Sequence, residues 1–494
     1  MPKKLPIFYS ALMLTGVNLL LRFVGTSFQV YLSSRIGAAG IGLLQLVMSV
    51  GGLSMVAGMG GIRTATMYLT AEELGRKHPQ NVVWVLSGCF LYSICFSGCV
   101  AAALYHFAPW IASVWIGDPR TVDALRLFAS FLPVTCLCGV MTGYFTAANR
   151  IGTLAAVEVV EQFCSMALTL GALTLFAGDD PVRSSMCVIL GSSCGCVLTL
   201  LCLMILRLRE HAPVGPRITI ASRLAQTALP LAIADDLKSG ISTIENLMVP
   251  KRLSLNHAIS SPLASFGLVT GMVFPVIMFP AAILFGLTEL LIPELARCAA
   301  AGSRKRIHYL VRRALRVSLV YGALTGGLLC LLANTLCIAL YHSPNAAQQM
   351  QAYALLVPML YCDLVTDAMT KGLGQQKICV RYNIFTSILD VLFLYILLPR
   401  YGMRGYFASF LVTHLINFIL SLQRLLKITI RHIPAHKPIG ATTAILFSVW
   451  AASFVSNIPL RCCTYMLLLC SLLILLGILQ KSDIRWIKGL VYKK

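Results

Sequence analysis

Fourteen apolar stretches run along the chain, and its charged residues lie almost entirely between them. A membrane-spanning helix needs about 20 mostly apolar residues, and each stretch is long enough. The pattern predicts an all-α membrane protein with about 14 transmembrane helices. The predicted spans are 7–32, 41–61, 82–105, 124–147, 153–176, 185–206, 223–247, 263–288, 314–340, 352–371, 378–398, 406–428, 438–458 and 461–480.

The longest polar break in the middle of the chain predicts its division. We expect a first six-helix lobe at 1–206, a cytoplasmic linker at 207–222 and a second six-helix lobe at 223–428. Two additional helices follow at 438–480. Six crossings return the chain to its starting side, so the two lobes would be parallel repeats about an axis along the membrane normal.

Basic residues alternate from side to side of the predicted membrane. The segments on the side of the N-terminus hold 29 Lys and Arg, whereas the opposite segments hold 9. This bias predicts that both termini are cytoplasmic. The net charge of +22 then anchors the protein against anionic lipid. Nucleic-acid binding is not expected, because the basic residues are scattered over eight segments.

Signals of enzymes and of bound metals are missing from the sequence. It contains no GxxxxGK[ST] loop and no HExxH. The 18 cysteines lie mainly within apolar runs and lack paired CxxC spacing, which argues against a zinc site or a disulfide framework. We therefore expect a protein that is not an enzyme and has no cofactor.

Polar side chains inside five spans recur at helical spacing, so each set shares one helix face. Such groups are costly in lipid and usually face a cavity or a partner helix. Together the sets predict a polar interior shared by several helices. They are Thr15, Asn18, Arg22, Thr26 and Gln29; Glu158, Glu161, Gln162 and Ser165; Asp235, Lys238, Ser242 and Glu245, with Asp236 beside them; Asp363, Thr366, Asp367, Thr370 and Lys371; and Asn383, Thr386, Ser387 and Asp390.

A structural alternative stays open for these sets. Under it, opposite charges neutralise each other along one helix, and the glutamates hydrogen-bond neighbouring helices. The residues concerned are Asp235 with Lys238, Asp367 with Lys371, and Glu158 with Glu161.

Arg22 is one of two cations deep inside predicted spans, the other being Lys238. A guanidinium in a water-filled cavity suits a phosphate or pyrophosphate, which it binds through bidentate hydrogen bonds. A carboxylate such as Glu158 or Glu161 is the alternative partner. The acids of three later spans fit a cation-coupling site for Na⁺ or a proton, between which the spacing does not decide. They are Asp235, Asp236, Asp363, Asp367 and Asp390.

Several short motifs, in this order and spacing, resemble the multidrug/oligosaccharidyl-lipid/polysaccharide exporter superfamily, especially its stage V sporulation protein B-like branch of flippases. They lie at 21–25, 35–42, 143–150, 159–162, 249–253, 291–295 and 401–405. The resemblance implies a monomeric flippase of the bacterial cytoplasmic membrane. It would move an undecaprenyl-pyrophosphate-linked oligosaccharide or peptidoglycan precursor from the inner to the outer leaflet by alternating access.

The resemblance and the polar faces together assign expected roles to residues. The pyrophosphate cavity is expected to hold Arg22, Asn18, Arg63, Glu161 and Lys238. Ion coupling is expected at Asp235, Asp236, Asp363, Asp367, Asn383 and Asp390. The sugar, the coupling ion and the developmental role stay open.

Two other functions are alternatives. A cation-coupled multidrug antiporter of the same superfamily would have acids around its drug cavity and typically twelve helices. A polytopic cell-envelope enzyme would need a catalytic cluster in a large outer loop, and no predicted outer loop exceeds about 20 residues.

Overall fold

A computed structural model describes residues 7–76, 78–148, 150–177, 180–209, 220–429 and 436–478. This part of the chain forms α-helices and contains no β-strand. The helices are α1 (Ile7–Met59), α2 (Ile62–Gly75), α3 (Val82–Trp110), α4 (Val122–Ala147), α5 (Ile151–Ala172), α6 (Pro181–Leu208), α7 (Ala221–Leu253), α8 (Pro262–Gly267), α9 (Phe274–Met278), α10 (Ala282–Ala300), α11 (Arg304–Tyr341), α12 (Pro344–Ala354), α13 (Val357–Gly372), α14 (Gln376–Thr429), α15 (His436–Ser453) and α16 (Ile458–Leu475).

Two glycines break the longest helices. Gly37 lies inside α1 with φ 79° and ψ 169°, and Gly402 lies inside α14 with φ 55° and ψ −132°. Only glycine adopts such positive φ values without steric cost. Each break falls in a gap between two predicted spans, so α1 and α14 each contain two crossing lengths joined by a kink.

The expected count of 14 membrane-crossing helices is not confirmed. Within the described residues, eight helices are long and apolar enough to cross a membrane, or up to ten if two bent pairs each form one span. The bent pairs are 262–278 with 282–288, and 344–354 with 357–372. The kinked α1 and α14 each count once, and α7 carries Asp235, Asp236, Lys238 and Glu245, which lower its hydropathy.

Three tyrosine hydroxyls bind the backbone of the bent segment 262–288. Tyr321 donates to the carbonyl of Pro280 over 2.8 Å, Tyr361 to Ile277 over 2.8 Å and Tyr341 to Met272 over 3.0 Å. In a bilayer core no water is present to satisfy carbonyls that a broken helix frees. The tyrosines supply those hydrogen bonds from α11 and α13.

The chain divides into two compact units. The first comprises Met1–Phe28, Arg35–Gly271 and Leu394–Gly402, and the second comprises Gln29–Ser34, Met272–Phe393 and Met403–Lys494. By its contacts α7 groups with the first unit. The lobe limits at 206 and 223 stay a prediction, and most of the expected linker lies outside the described residues.

Within the first unit, α2 packs closely on α4. The fit depends on Gly143, because a β-carbon there would lie 2.5 Å from the carbonyl oxygen of Arg63. Ile62 and Phe145 are fully buried in the core that the two helices share. This contact holds α2 immediately after the Gly60–Gly61 break, where both glycines have positive φ.

An ion-pair cluster ties the other end of α2 to the first turn of α7. Arg223 donates to Glu72 over 2.6 Å and to Glu73 over 2.9 Å. Asn81 donates to Glu73 over 2.9 Å, and Arg76 donates to Glu72 over 2.6 Å. The side chain of Glu73 is only 3% exposed, so Arg223 and Asn81 replace most of its water.

The last two helices dock on α11 in the second unit. The hydroxyl of Tyr465 donates to the carbonyl of Ala323 over 2.6 Å. The tyrosine ring occupies the space that a side chain at Gly327 would need. Ala444, Leu469 and other residues of α15 and α16 complete a buried apolar cluster around this contact.

We expect Gly143→Ala to destabilise the protein by about 1–3 kcal/mol, the usual cost of overpacking, because α2 must move away from α4. Unfolding in mixed micelles measures this. Gly98→Ala is the matched control, since a β-carbon at Gly98 meets no neighbouring atom within 4 Å. Equal stability of the two variants would contradict the close approach of α2 and α4.

A double-mutant cycle with Arg223→Ala and Glu73→Gln should give an interaction energy of about 1–3 kcal/mol, because Glu73 is almost fully buried. The same cycle on Arg120 and Asp118, a pair with a 68% exposed arginine, should give a smaller interaction energy, because water screens the pair. Interaction energies of the same size in both cycles would show that burial adds nothing to the Arg223 contact.

Candidate functional site

Asp390 receives two hydrogen bonds from the second half of α14. Ser409 donates to its Oδ1 over 2.6 Å, and Thr413 donates to the same oxygen over 3.2 Å. Both hydroxyl residues are buried. The kink at Gly402 folds α14 back so that its two halves lie side by side, which brings the donors to the carboxylate.

A second acid, Asp363 of α13, contacts the same half of α14. Asn417 donates from Nδ2 to Asp363 Oδ2 over 3.2 Å. Asp363 Oδ1 and Asn417 Oδ1 are both buried, and neither has a hydrogen-bond partner within the described residues. A proton on Asp363 that is shared with Asn417 Oδ1, or a cation bound by oxygen atoms, would satisfy acceptors of this kind.

Sequence reasoning missed the α14 side of this cluster. Ser409, Thr413 and Asn417 follow one another at four-residue steps, the same signal that identified the other polar faces. His414, beside them, stacks on Phe410 with ring centroids 3.9 Å apart. The set would have been found by testing the span 406–428 for helical spacing of hydroxyl and amide residues.

The other two residues expected in ion coupling within the second unit differ in their surroundings. Asp367 is paired with Lys371 over 2.6 Å, which is the intrahelical arrangement that the sequence left open. Asn383 is half-buried on the first half of α14. The structure therefore brings Asp363 and Asp390 to partners on α14, whereas Asp367 is neutralised within its own helix.

In the first unit, two guanidinium side chains expected to bind pyrophosphate are exposed. Arg22 lies on α1, half-way between Ile7 and the kink at Gly37, and Arg63 lies at the start of α2. Arg63 is within electrostatic range of Glu158 on α5. The side chain of Asn18 lies outside the described residues.

Glu161 is held by α6. Thr199 donates to its Oε2 over 2.7 Å, and the thiol of Cys196 lies 3.7 Å from its Oε1. A cavity of about 210 Å³ lies beside it, lined by residues of α5 and α6 that include Val157 and Leu206. Glu161 thus makes a hydrogen bond to a neighbouring helix, which is the structural alternative given for this residue above. Its expected role in substrate binding stays a prediction.

The acids of α7 differ from each other in burial. Asp235 and Lys238 are exposed, and Asp236 is half-buried. Asp236 Oδ1 is a buried oxygen that has no hydrogen-bond partner among the described residues. Asp236 is therefore similar to Asp363 of α13, because each has a buried carboxylate oxygen without a hydrogen-bond partner among the described residues.

Comparison with known proteins now identifies the family. Residues 14–173 and 230–396, more than half of the chain, match the MatE family. The chain belongs to this family. It is a multi-pass membrane transporter, and the expected exporter superfamily and all-α membrane fold are confirmed.

Similar proteins include the stage V sporulation protein B of Bacillus subtilis (strain 168). It is 21% identical over 406 residues, which cover 80% of this chain and 78% of that protein. A solved structure of the lipid II flippase MurJ in an inward closed conformation has a TM-score of 0.69 at 12% identity, covering 93% of this chain and 98% of that chain. An inward-facing multidrug resistance MATE transporter has a TM-score of 0.66 at 12% identity, covering 88% and 99%.

Replacing Asp363 by Asn should remove the dependence of transport on a Na⁺ or proton gradient, because the amide neither binds a proton nor carries the charge that holds a cation. Transport into proteoliposomes with imposed gradients measures this. Asp123→Asn, which alters an exposed carboxylate at the start of α4, is the control and should keep the dependence. Unchanged ion dependence in Asp363→Asn would remove this acid from the coupling site.

Proposed function

We propose that this transporter is a flippase for an undecaprenyl-pyrophosphate-linked oligosaccharide or peptidoglycan precursor. It would carry the headgroup from the inner to the outer leaflet by alternating access, while the lipid tail stays in the membrane. Transport would be driven by an ion gradient or by the membrane potential. The similarity to a sporulation protein and to a lipid II flippase supports this class of substrate.

The exposed guanidinium of Arg22 at membrane depth carries the proposal. An arginine at the centre of a spanning helix costs about 2.5–3.5 kcal/mol or more if it faces lipid. Arg22 lies near the middle of the first crossing and is exposed, so it is better accommodated by a water-filled cavity than by hydrocarbon. Such a cavity with a fixed cation suits an anionic headgroup.

The chemistry of the proposed substrate matches the side chains available. A pyrophosphate presents oxygens that a guanidinium binds in a bidentate manner. Arg63 offers a second guanidinium in the same unit, directly after the Gly60–Gly61 break. Its electrostatic partner Glu158 would compete with the substrate, so binding and release would exchange one anion for another.

Energy coupling is assigned to the second unit. A coupling ion would bind at the unsatisfied oxygens of Asp363 and Asn417 and at the carboxylate of Asp390, which already accepts two hydrogen bonds. One charge that crosses 100 mV supplies about 2.3 kcal/mol. A single Na⁺ or proton per cycle would therefore bias the direction of transport by about 50-fold.

Multidrug antiport is the second candidate, and the likeness to a MATE transporter of known structure favours it. Its substrates would be organic cations, which the exposed Arg22 and Arg63 would repel. Competition separates the two functions: a pyrophosphate-linked lipid should displace bound substrate from the flippase, and a cationic drug should displace it from the antiporter.

Arg22→Ala should weaken the apparent affinity for a pyrophosphate-linked polyprenyl substrate by about 10–100-fold, since one charge-assisted contact is worth about 1.5–3 kcal/mol. Leaflet exposure of a labelled substrate in proteoliposomes measures it. Arg120→Ala removes an exposed arginine that is paired with Asp118 and should change nothing. Wild-type affinity in Arg22→Ala would show that Arg22 has a structural role.

A further inference from the structure

The second half of α14 carries polar residues on its inward side for four successive turns. Ser409, Thr413, Asn417 and Ser421 recur at four-residue steps, so each lies one turn from the next along the helix. Ser409, Thr413 and Ser421 are each at most 3% exposed. This α14 polar face extends about 18 Å along the helix axis, which is more than half of a hydrocarbon core of about 30 Å.

Acids from α13 and from the first half of α14 line this face at different depths. Asp390 accepts hydrogen bonds from Ser409 and Thr413, at the end nearer the kink. Asp363 accepts one from Asn417, which lies one turn further along the helix. Buried oxygens of Asp363 and Asn417 have no hydrogen-bond partner among the described residues. Oxygen atoms therefore follow the α14 polar face from one acid to the other.

Beyond Ser421 the polar face continues toward the basic ends of α13 and α14. Lys371 is paired with Asp367 over 2.6 Å, and Arg424 donates to the side-chain oxygen of Gln375 over 2.6 Å. Both cations are therefore held by partners. Basic residues concentrate on the cytoplasmic side of membrane proteins, so we expect this end of the α14 polar face to be the cytoplasmic one.

Aromatic rings pack at the opposite end, beside Asp390. Tyr353 of α12 is fully buried, and its ring centroid lies 5.1 Å from that of Phe407 and 5.3 Å from that of Phe410. Phe274 lies 5.2 Å from both Tyr353 and Phe410. Phe407 comes between the kink of α14 and the residues that bind Asp390. These four rings, the Tyr353 cluster, are packed as in a protein core, which excludes water.

The two ends of the α14 polar face therefore differ in what they offer an ion. An ion inside the bilayer core needs oxygen atoms or water around it at every step, because a bare charge there is very costly. Toward the basic end the face supplies hydroxyl, amide and carboxylate oxygens in series. Toward the kink, the Tyr353 cluster supplies aromatic carbon and one buried hydroxyl. All of these residues belong to the second unit.

We propose that the coupling ion reaches Asp390 along the α14 polar face, from the end that carries Lys371 and Arg424, and that the Tyr353 cluster closes the other end. The ion would pass Ser421, exchange water for the oxygens of Asn417 and its partner acid, and then arrive at Asp390. This inference rests on the ion coupling proposed above. It adds the side from which the ion enters and the path that it takes.

The test is side-selective labelling of the full-length protein in membrane vesicles of known orientation. The variants Ser421→Cys and Ser409→Cys and the control Ser448→Cys each replace a buried hydroxyl by a thiol. The probe is Ag⁺, a small monovalent cation that reacts with thiols. Mass spectrometry then measures which thiols have become protected from alkylation. The unsubstituted protein gives the background of its 18 cysteines.

Ag⁺ added from the cytoplasmic side should modify the thiols at positions 421 and 409, and position 421 should react faster because the ion meets it first. From the outer side, both should react at least about tenfold more slowly, the factor that an extra barrier of about 1.4 kcal/mol gives. The Ser448→Cys thiol lies in α15, away from the α14 polar face, and should react from neither side.

A second variant, Ser421→Leu, separates a path from a binding site. Its apolar side chain narrows the path, so the maximal rate of ion-driven transport should fall about tenfold. Ion binding at equilibrium, measured as the ion-induced rise in the midpoint of thermal unfolding, should stay unchanged. Ile419→Phe enlarges an exposed residue of the same helix and should alter neither quantity.

Three results would overturn the path: equal reaction of the Ser409→Cys thiol from both sides, no reaction of the Ser421→Cys thiol from the cytoplasmic side, or a wild-type transport rate in Ser421→Leu. A failure of the proposed coupling gives a different result. The thiols would then react as expected, while transport by the unsubstituted protein would respond to neither a Na⁺ nor a proton gradient, and the polar face would admit water rather than a coupling ion.

Discussion

The absence of water from the bilayer core is the constraint on which this structure depends. Every hydrogen-bonding group in the core has to find a partner inside the protein. The hydroxyls of Thr366 and Thr370 return to carbonyls one turn earlier in their own helix. The tyrosines of α11 and α13 serve the bent segment 262–288 in the same way, which lets that segment depart from regular helix without exposing its backbone.

The same constraint separates two kinds of membrane acid in this chain. Glu161, Asp367 and Asp390 have hydrogen-bond or ion-pair partners: Glu161 on a neighbouring helix, Asp367 within its own helix and Asp390 on the other half of α14. Asp236 and Asp363 each keep a buried oxygen that no described group satisfies. A buried acceptor that lacks a hydrogen bond costs free energy. Binding of an ion or a proton therefore explains these oxygens better than packing does.

Much of the fold could be predicted from the sequence because the signals are local. Apolar length located the helices, and the gaps at 33–40 and 399–405 fell on the kinks at Gly37 and Gly402. The number of crossings was harder to predict, since hydropathy alone does not separate a charged spanning helix such as α7 from a surface one. Local patterns also found the acids at 363 and 390.

Contacts between residues far apart in the chain could not be predicted from the sequence. Nothing local shows that Asn417 meets Asp363, or that Arg223 meets two carboxylates about 150 positions earlier. Those contacts depend on how far each helix is rotated about its axis, which the packing of the whole unit decides. The sequence therefore indicated which faces are polar and left open which faces meet.

The fit of Tyr465 against α11 has a consequence for biosynthesis. The two partners are separated by 142 positions in the chain, so at about 5–20 residues per second the ribosome needs roughly 7–28 seconds to deliver the tyrosine after Ala323 has emerged. Throughout that interval, the space beside Gly327 on α11 lacks the tyrosine ring that fills it in the folded protein. The hairpin of α15 and α16 would thus dock on α11 only after α11 has entered the membrane, and α11 would first fold without this partner.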